Sequence, residues 1–337
     1  MAKPGGSSGG GNFKGTAGDD TFHVATLAEL KSSTYDGAGG IDTLDLSALS
    51  TGVTVSLAAE MTYRTSKSVL WPDHAFTGFY TDTSVSLTND SDKISGSINN
   101  IERVIGTSGN DQIGLANNGY ADGGPGNDYV VGGTVVGGTG SDYVNGTGPS
   151  EILVGGTYVN GVATADHAQD WFEIDGSSGV ILDFEVGVDK LILGSGPSLQ
   201  GATWQPTTYN GVPSSMLSAN GETVTLMGIT PDVANTIKVG FFLGGGAATL
   251  TSGPGDDIMW PSSGPSQLIF GTGSGNDVVT HFNIADDTLH FTNDAPTSWT
   301  QVAVNGEVAI QGFYDGGASS VTILGLTAAD ASHLLIG

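Results

Sequence analysis

The chain has 337 residues and no cysteine, and its 35 aspartates and glutamates against nine lysines and arginines leave a formal net charge of −26. This charge argues against nucleic acid and anionic lipid as partners, because both are bound by basic surfaces. Without cysteine the fold cannot be held by disulfides, so packing or bound cations must stabilise it.

Residues 1–14 are rich in Gly and Ser and predict a flexible tail. From residue 15 a motif recurs: Gly, two variable residues, Gly, one variable residue and Asp, then a short strand with one central apolar residue. A repeat this short cannot bury a core alone, so we expect the copies to stack as coils. The seven copies start at Gly15, Gly37, Gly106, Gly123, Gly137, Ser252 and Thr272, and the inward residues predicted for the first five are Phe22, Leu44, Ile113, Val130 and Val144.

Other segments separate the copies. Residues 27–31 and 328–335 each predict a helical turn or two, and residues 53–57 predict a strand. Residues 60–92 place aromatic side chains among polar ones and predict an inserted loop or hairpin. The pair Asp73 and His74 within it is more typical of a solvated loop than of a sugar or partner site.

The C-terminal half contains a longer internal repeat. Two segments recur in it, with residues 180–193 matching 278–291 and residues 222–230 matching 319–327. Short alternating strands bounded by Gly, Asn or Asp surround both copies. The sequence therefore predicts two related, sandwich-like β units at 166–250 and 251–337.

The Gly-Asp turns suit a hard cation. Glycine tolerates the backbone conformations that aim several carbonyl oxygens at one point, and the Asp adds a carboxylate. Carbonyl and carboxylate oxygens are the ligands that Ca²⁺ prefers. A single turn of this kind is usually an ordinary metal-free β-turn, but seven of them in a chain with a net charge of −26 favour bound calcium.

The motif resembles the calcium-binding nonapeptide of the RTX, or haemolysin-type, repeat family, Gly-Gly-x-Gly-x-Asp-x-U-x with U a large apolar residue. The copies at 123–131 and 137–145 match it completely. The resemblance implies a right-handed parallel β-roll, in which carbonyls and Asp side chains of neighbouring turns hold several Ca²⁺ ions. The carboxylate ligands that it implies are Asp20, Asp42, Asp111, Asp128, Asp142, Asp257 and Asp277. Backbone carbonyls around the two complete copies would add further ligands, at Gly123, Gly126, Asn127, Gly137 and Gly140. Asp36 and Asp122, which flank Gly-rich turns, are additional candidates.

These observations predict an all-β protein. We expect a β-roll domain at 15–165 that carries the insertion at 60–92 and is followed by the two C-terminal units. The resemblance implies that the second unit carries a secretion signal. The irregular spacing of the turns favours a short roll around 106–154. Because RTX proteins resemble cargo of type I secretion, the resemblance implies export to the outside or surface of a bacterium without a cleaved N-terminal signal.

No catalytic motif accompanies the repeats. The zinc motif His-Glu-x-x-His is absent, and we interpret Asp166, His167 and Asp170 as a degenerate calcium turn. We therefore expect an extracellular, non-enzymatic calcium-binding structural protein that self-associates into a surface layer, filament or matrix, with no membrane span. Two alternatives stay open: an adhesin that binds surface polysaccharide through residues 60–92, and the calcium-binding secretion module of a larger enzyme.

Overall fold

The structure is a computed structural model that describes residues 11–57, 67–68, 71–75, 97–115, 119–146, 150–174, 178–194, 203–219, 221–243, 249–261, 264–304 and 307–337. Most of the predicted insertion at 60–92, with Tyr63, Phe76, Phe79 and Tyr80, lies outside the described residues. The regular secondary structure of the described part consists mainly of strands, so the prediction of an all-β fold is confirmed.

The N-terminal part of the chain contains short strands and one helix. They are β1 Asn12–Lys14, β2 Thr21–His23, α1 Leu27–Ser32, β3 Thr34–Asp36, β4 Thr43–Asp45, β5 Thr54–Ser56, β6 Lys67–Ser68, β7 Trp71–Ala75, β8 Ser97–Asn99, β9 Arg103–Ile105 and β10 Gln112–Gly114. The helical turn predicted at 27–31 is confirmed by α1, whose N-cap Thr26 accepts a hydrogen bond from the Glu29 N–H.

The middle of the chain holds the longest run of regular coils. Its strands are β11 Tyr120–Pro125, β12 Tyr129–Gly132, β13 Thr134–Thr139, β14 Tyr143–Gly146, β15 Glu151–Val154, β16 Thr157–Val159, β17 Val162–Thr164, β18 Trp171–Ile174, β19 Gly179–Ile181 and β20 Lys190–Leu193.

The C-terminal part adds longer strands to the coils. Its elements are β21 Gln205–Tyr209, β22 Val212–Ala219, β23 Glu222–Met227, α2 Pro231–Ala234, β24 Val239–Leu243, β25 Thr249–Thr251, β26 Ile258–Met259, β27 Gln267–Phe270, β28 Asn276–Val279, β29 Thr288–Phe291, β30 Trp299–Val304, β31 Glu307–Tyr314, β32 Ser319–Leu324 and β33 Leu335–Ile336, with short 3₁₀ helices at Asp315–Gly317 and Asp330–His333.

From β9 to β24, the parallel strands alternate between two sheets. One is a ten-stranded sheet in the order β2-β4-β9-β11-β13-β15-β19-β23-β22-β21, and the other a twelve-stranded sheet in the order β30-β31-β32-β28-β26-β24-β20-β18-β14-β12-β10-β5. Each coil contributes one strand to each sheet, and equivalent strands of successive coils pair in parallel, as Val130 with Val144 and Val144 with Phe172. This alternation of parallel strands between two sheets is a solenoid arrangement, and it fits an architecture of the β-roll or β-helix kind.

At both ends of the solenoid, strands form sheets other than the two main ones. At the N-terminal end β1, β3 and β8 form a third parallel sheet, and after β24 the strands β25, β27, β29 and β33 form a new sheet opposite the twelve-stranded one. Parallel pairing crosses the predicted boundary at 165/166 through β14 and β18, and the boundary at 250/251 through β24 and β26. The two C-terminal units are thus continuous with the coils.

The internal repeat of the C-terminal half corresponds to a recurring structure. Strands β23 and β32, which contain the matched segments after 222 and 319, each receive an antiparallel hairpin, β21–β22 and β30–β31. These hairpins cover the edges of two sheets that end there. The outer strands of the hairpins, β21 and β30, are therefore the terminal strands of the two sheets.

The core lies between the facing sheets. The five predicted inward residues Phe22, Leu44, Ile113, Val130 and Val144 are all buried, with at most 5% of their surface exposed. They belong to one continuous apolar cluster that extends from the first coil to Ile323. Burial of one such side chain stabilises a fold by about 1.5–3 kcal/mol, so the stacked coils supply what a single repeat cannot.

The described residues contain no helix long and apolar enough to cross a bilayer.

Candidate metal centre

The Gly-Asp turns stack, and their aspartates form a ladder at the start of the strands. The Asp111 N–H donates to Asp128 Oδ1 at 2.7 Å, and the Asp128 N–H donates to Asp142 Oδ1 at 2.7 Å. Each carboxylate therefore ties its coil to the coil before it through one charge-assisted hydrogen bond. The ladder continues as Asp142 N–H to Asp170 Oδ1 at 2.9 Å and Asp170 N–H to Asp189 Oδ1 at 3.1 Å.

Shorter ladders of the same kind occur near both ends of the chain. The Asp20 N–H donates to Asp42 Oδ1 at 2.8 Å, and the Asp257 N–H donates to Asp277 Oδ1 at 3.0 Å. Together these three ladders contain all seven aspartates that the resemblance implies as calcium ligands. The irregular spacing of the turns follows from coils of different length, since successive ladder aspartates lie 17, 14, 28 and 19 residues apart.

A second, outer ladder runs through the residue that precedes each aspartate. Asn110 Oδ1 accepts from the Asn127 N–H, and Asn127 Oδ1 accepts from the Ser141 N–H, both at 3.0 Å. The Asp19 and Asp256 carboxylates do the same for the N–H groups of residues 41 and 276, both at 2.8 Å. The side chain of Asn127 therefore links coils, which leaves its carbonyl as the group for a metal.

Most ladder carboxylates are buried in a chain with few cations. Burial raises the pKa of Asp128 to about 8, that of Asp170 to about 8 and that of Asp257 to about 7. The pKa of Asp142 is also raised, first by burial and then by the neighbouring Asp128. A carboxylate kept ionised in such a place needs a positive partner.

At three turns one carboxylate oxygen is buried without a partner. Asp42, Asp128 and Asp142 are each at most 1% exposed, and their Oδ2 atoms have no hydrogen-bond partner in the described part of the chain. Nearly all buried polar atoms in folded proteins are paired, and an unpaired carboxylate oxygen is especially costly. Two of these turns, at 123–128 and 137–142, are the complete nonapeptides.

The first glycine of each of these turns brings a carbonyl close to the unpaired oxygen. A Cβ on Gly123 would lie 2.4 Å from the Gly137 carbonyl oxygen and 2.5 Å from Asp128 Oδ2. A Cβ on Gly137 would lie 2.4 Å from both Asp142 Oδ2 and the Gly155 carbonyl oxygen. The carboxylate of one coil and the carbonyl of the next thus approach the same glycine. Gly126 and Gly140, further along the two turns, take φ values of 153° and 125° that favour glycine.

The two additional ligand candidates, Asp36 and Asp122, lie just before the turns that end at Asp42 and Asp128. Both have hydrogen-bond partners of their own. Asp36 Oδ1 accepts from the Asn100 side-chain amide at 2.8 Å and from the Ala38 N–H at 3.1 Å. The Asp122 carboxylate accepts from the Tyr120 hydroxyl at 3.3 Å and is hydrogen-bonded by the Gly124 N–H. Neither carboxylate is part of the ladder.

The residues present fit a hard divalent cation. Within the described ranges no three His, Cys, Asp or Glu side chains converge on one point. A cation at these turns would therefore be held by one carboxylate together with a backbone carbonyl of the next coil, as Asp128 with the Gly137 carbonyl. The predicted carbonyl of Gly123 lies instead beside Asp111 of the preceding coil. Such mixed oxygen donors suit Ca²⁺ better than zinc or copper, for which sites rich in nitrogen or sulfur are typical.

Sequence reasoning did not include three acidic ladder positions. Glu102 Oε2 accepts from the Asp42 N–H at 2.9 Å, and Asp287 Oδ1 accepts from the Ser266 N–H at 2.8 Å. The third is Asp189. Each of the three stands immediately before a strand. An acidic residue in that position predicts a ladder residue even where the glycines of the motif are missing. Asp170, interpreted as part of a degenerate turn, does occupy the ladder position.

Comparisons with known proteins do not assign the chain to a family. No model of a known protein family matches it, and no curated protein matches it. The RTX resemblance therefore stays a prediction from the motif itself.

Proposed function

We propose that the chain is an extracellular calcium-binding structural protein whose solenoid is completed by Ca²⁺ at its glycine-rich turns. The observation that carries this proposal is the set of buried, unpaired Oδ2 atoms of Asp42, Asp128 and Asp142. A bound cation would satisfy these oxygens and offset part of the net charge of −26. Because the ion binds only the folded turns, stability rises with its concentration.

We also propose that the folded chain associates with copies of itself into a layer, filament or matrix at the surface of a bacterium. At the two ends of the described solenoid, β1, β2 and β33 are edge strands. The side chains of Leu335 and Ile336 on β33 are 46% and 43% exposed. Edge strands of this kind pair with other chains, and head-to-tail pairing that does not close produces filaments.

Two measurements on the purified chain test the proposal. Thermal unfolding followed by circular dichroism, first in excess EGTA and then at increasing concentrations of free Ca²⁺, should show a melting temperature that rises with calcium. Mg²⁺ at the same concentration is the control, since it demands a stricter octahedral geometry. Electron microscopy after calcium addition should show ordered assemblies. Identical melting curves with and without Ca²⁺ would contradict calcium binding, and monodisperse particles would contradict assembly.

A further inference from the structure

The Gly-Asp turns of this chain have two different structures. In one kind, which we term closed, the aspartate Oδ2 accepts the backbone N–H of the residue four positions earlier. In the other, which we term open, that oxygen is buried and unpaired. The turns that end at Asp20, Asp111 and Asp257 are closed, and those that end at Asp42, Asp128 and Asp142 are open.

In a closed turn a backbone N–H of the turn itself donates a hydrogen bond to the carboxylate. The Thr16 N–H lies 2.6 Å from Asp20 Oδ2, and the Thr107 N–H lies 2.6 Å from Asp111 Oδ2. The threonine hydroxyls add bonds to the same carboxylates at 2.8 and 3.1 Å. The Gly253 N–H approaches Asp257 Oδ2 at 2.5 Å. These oxygens are satisfied without an ion.

In an open turn the corresponding N–H is directed elsewhere. The Ala38 N–H donates to Asp36 Oδ1 at 3.1 Å, and the Gly138 N–H donates to the Gly155 carbonyl at 2.9 Å. The Gly124 N–H hydrogen-bonds the Asp122 carboxylate. In each case the aspartate that ends the turn loses the donor that a closed turn provides.

The backbone of this fourth residue separates the two kinds. Its φ is 71° at Ala38, 91° at Gly124 and 119° at Gly138, whereas Thr16, Thr107 and Gly253 have no positive φ. When this residue has a positive φ, its N–H no longer points at the carboxylate of the aspartate that ends the turn. Threonine is β-branched and strongly disfavours that conformation, so a Thr at this position keeps a turn closed.

From these contacts we infer that only the open turns take a cation, and that in the closed turns the backbone N–H four residues before the aspartate takes the place of the ion. This inference rests on the proposed function, because it divides the calcium turns that the function requires. It assigns the ion-binding role to the turns of Asp42, Asp128 and Asp142 and removes it from those of Asp20, Asp111 and Asp257.

The turn of Asp277 follows neither pattern. Gly273 has a φ of 69°, and its N–H donates to Asp315 Oδ2 at 2.9 Å, as in an open turn. The Tyr314 hydroxyl, however, faces Asp277 Oδ2 at 3.4 Å. A side chain from the last hairpin therefore occupies the place of the ion there.

A matched pair of variants tests the inference. Asp111 and Asp128 are 2% and 0% exposed, and the Oδ1 of each accepts one N–H from a neighbouring coil at 2.6 and 2.7 Å. Asparagine keeps that acceptor and removes the charge. Native mass spectrometry of the full chain in calcium should show that D128N loses at least one ion, whereas D111N keeps the count of the unmodified chain.

Loss of an ion by both folded variants would overturn the inference and leave the proposed function standing. An unmodified chain that binds no calcium would contradict the proposed function itself. If D111N does not fold, hydrogen exchange of the unmodified chain decides: calcium should slow exchange about tenfold or more at Gly124 and Gly138 and leave Thr107 nearly unchanged. Equal slowing at Thr107 and Gly124 would overturn the inference.

Discussion

A single backbone angle at one residue of each turn decides how the neighbouring carboxylate is satisfied. Where the residue has no positive φ, as at Thr107 and Gly253, its N–H closes the turn. Where a glycine takes a positive φ, as at Gly124 and Gly138, the carboxylate is left open. Ala38 is the exception, because it holds a φ of 71° with a Cβ present. For L-residues other than glycine this conformation is strained by roughly 1–2 kcal/mol.

The strain at Ala38 can be relieved by a single substitution. Replacement by glycine, A38G, removes the strain and should raise the free energy of unfolding in calcium by about 1 kcal/mol. Chemical denaturation in buffers of fixed calcium concentration measures this change. The control is A17G in the first, closed turn, where Ala17 has no positive φ. There glycine should lower stability, since it only adds freedom to the unfolded chain. A stabilising A17G or a destabilising A38G would contradict this account.

How far the sequence predicts the site follows from the same residues. The motif identified seven of the ladder aspartates and the inward residues such as Val130 and Val144, because a strand follows each turn at a constant offset. The difference between open and closed turns was also visible, as Thr in place of the second Gly at 16 and 107. The sequence does not predict whether the turn that contains Gly253 is open or closed, because glycine adopts either sign of φ. The contacts with neighbouring coils determine its conformation.

At the element scale, the solenoid tolerates additions between strands. The step from Asp142 to Asp170 is 28 residues long because the hairpin β16–β17 is inserted in it, yet the ladder bond of 2.9 Å is kept. The hairpin turns at Asn160 and Gly161 with φ of 52° and 81°, the signature of a tight two-residue turn. Tyr158 and Ala163 pack on an apolar cluster that includes Val136 and Val154.

Deletion of this hairpin is the second prediction. A Cβ on Gly156 would lie 3.0 Å from the Ala165 Cα, so removal of residues 157–164 can be closed with a short link. The calcium count should stay unchanged, because the ladder does not pass through the hairpin. Stability should fall by about 1–3 kcal/mol as the cluster under Tyr158 becomes exposed. Native mass spectrometry and denaturant unfolding measure the two effects. Loss of bound calcium in a folded deletion variant would show that the hairpin is part of the site.

Domain boundaries are harder to predict from the sequence than the strands themselves. The segments 180–193 and 278–291 each contribute two strands to the parallel sheets. A periodic hydrophobic pattern identifies a strand but does not reveal its partners. Register between coils depends on contacts between residues 14 to 28 positions apart, and that information is spread over the whole chain.

At the scale of the whole molecule, the buried aspartates link stability to pH. Burial raises the pKa of Asp111 to about 6, that of Asp257 to about 7 and that of Asp128 to about 8. Their unfolded values are about 3.9. Between those limits the folded state binds more protons than the unfolded state, so without metal its stability is greatest at the acidic end and is lost as pH rises towards 8. The lowered pKa values of Asp20, Asp36 and Asp45 act only at lower pH.

This linkage gives the third prediction, in which calcium replaces the proton. In metal-free buffer the melting temperature should fall as pH increases from about 5.5 to about 8.5, because the raised pKa values of groups such as Asp128 lie in that range. In saturating calcium the fall should be much smaller or reversed, since a bound cation stabilises the ionised carboxylate. Scanning calorimetry at each pH in both buffers measures the difference. Parallel pH curves, displaced or not, would mean that calcium does not bind the titrating carboxylates, and the buried aspartates would then be held in the folded chain as neutral acids.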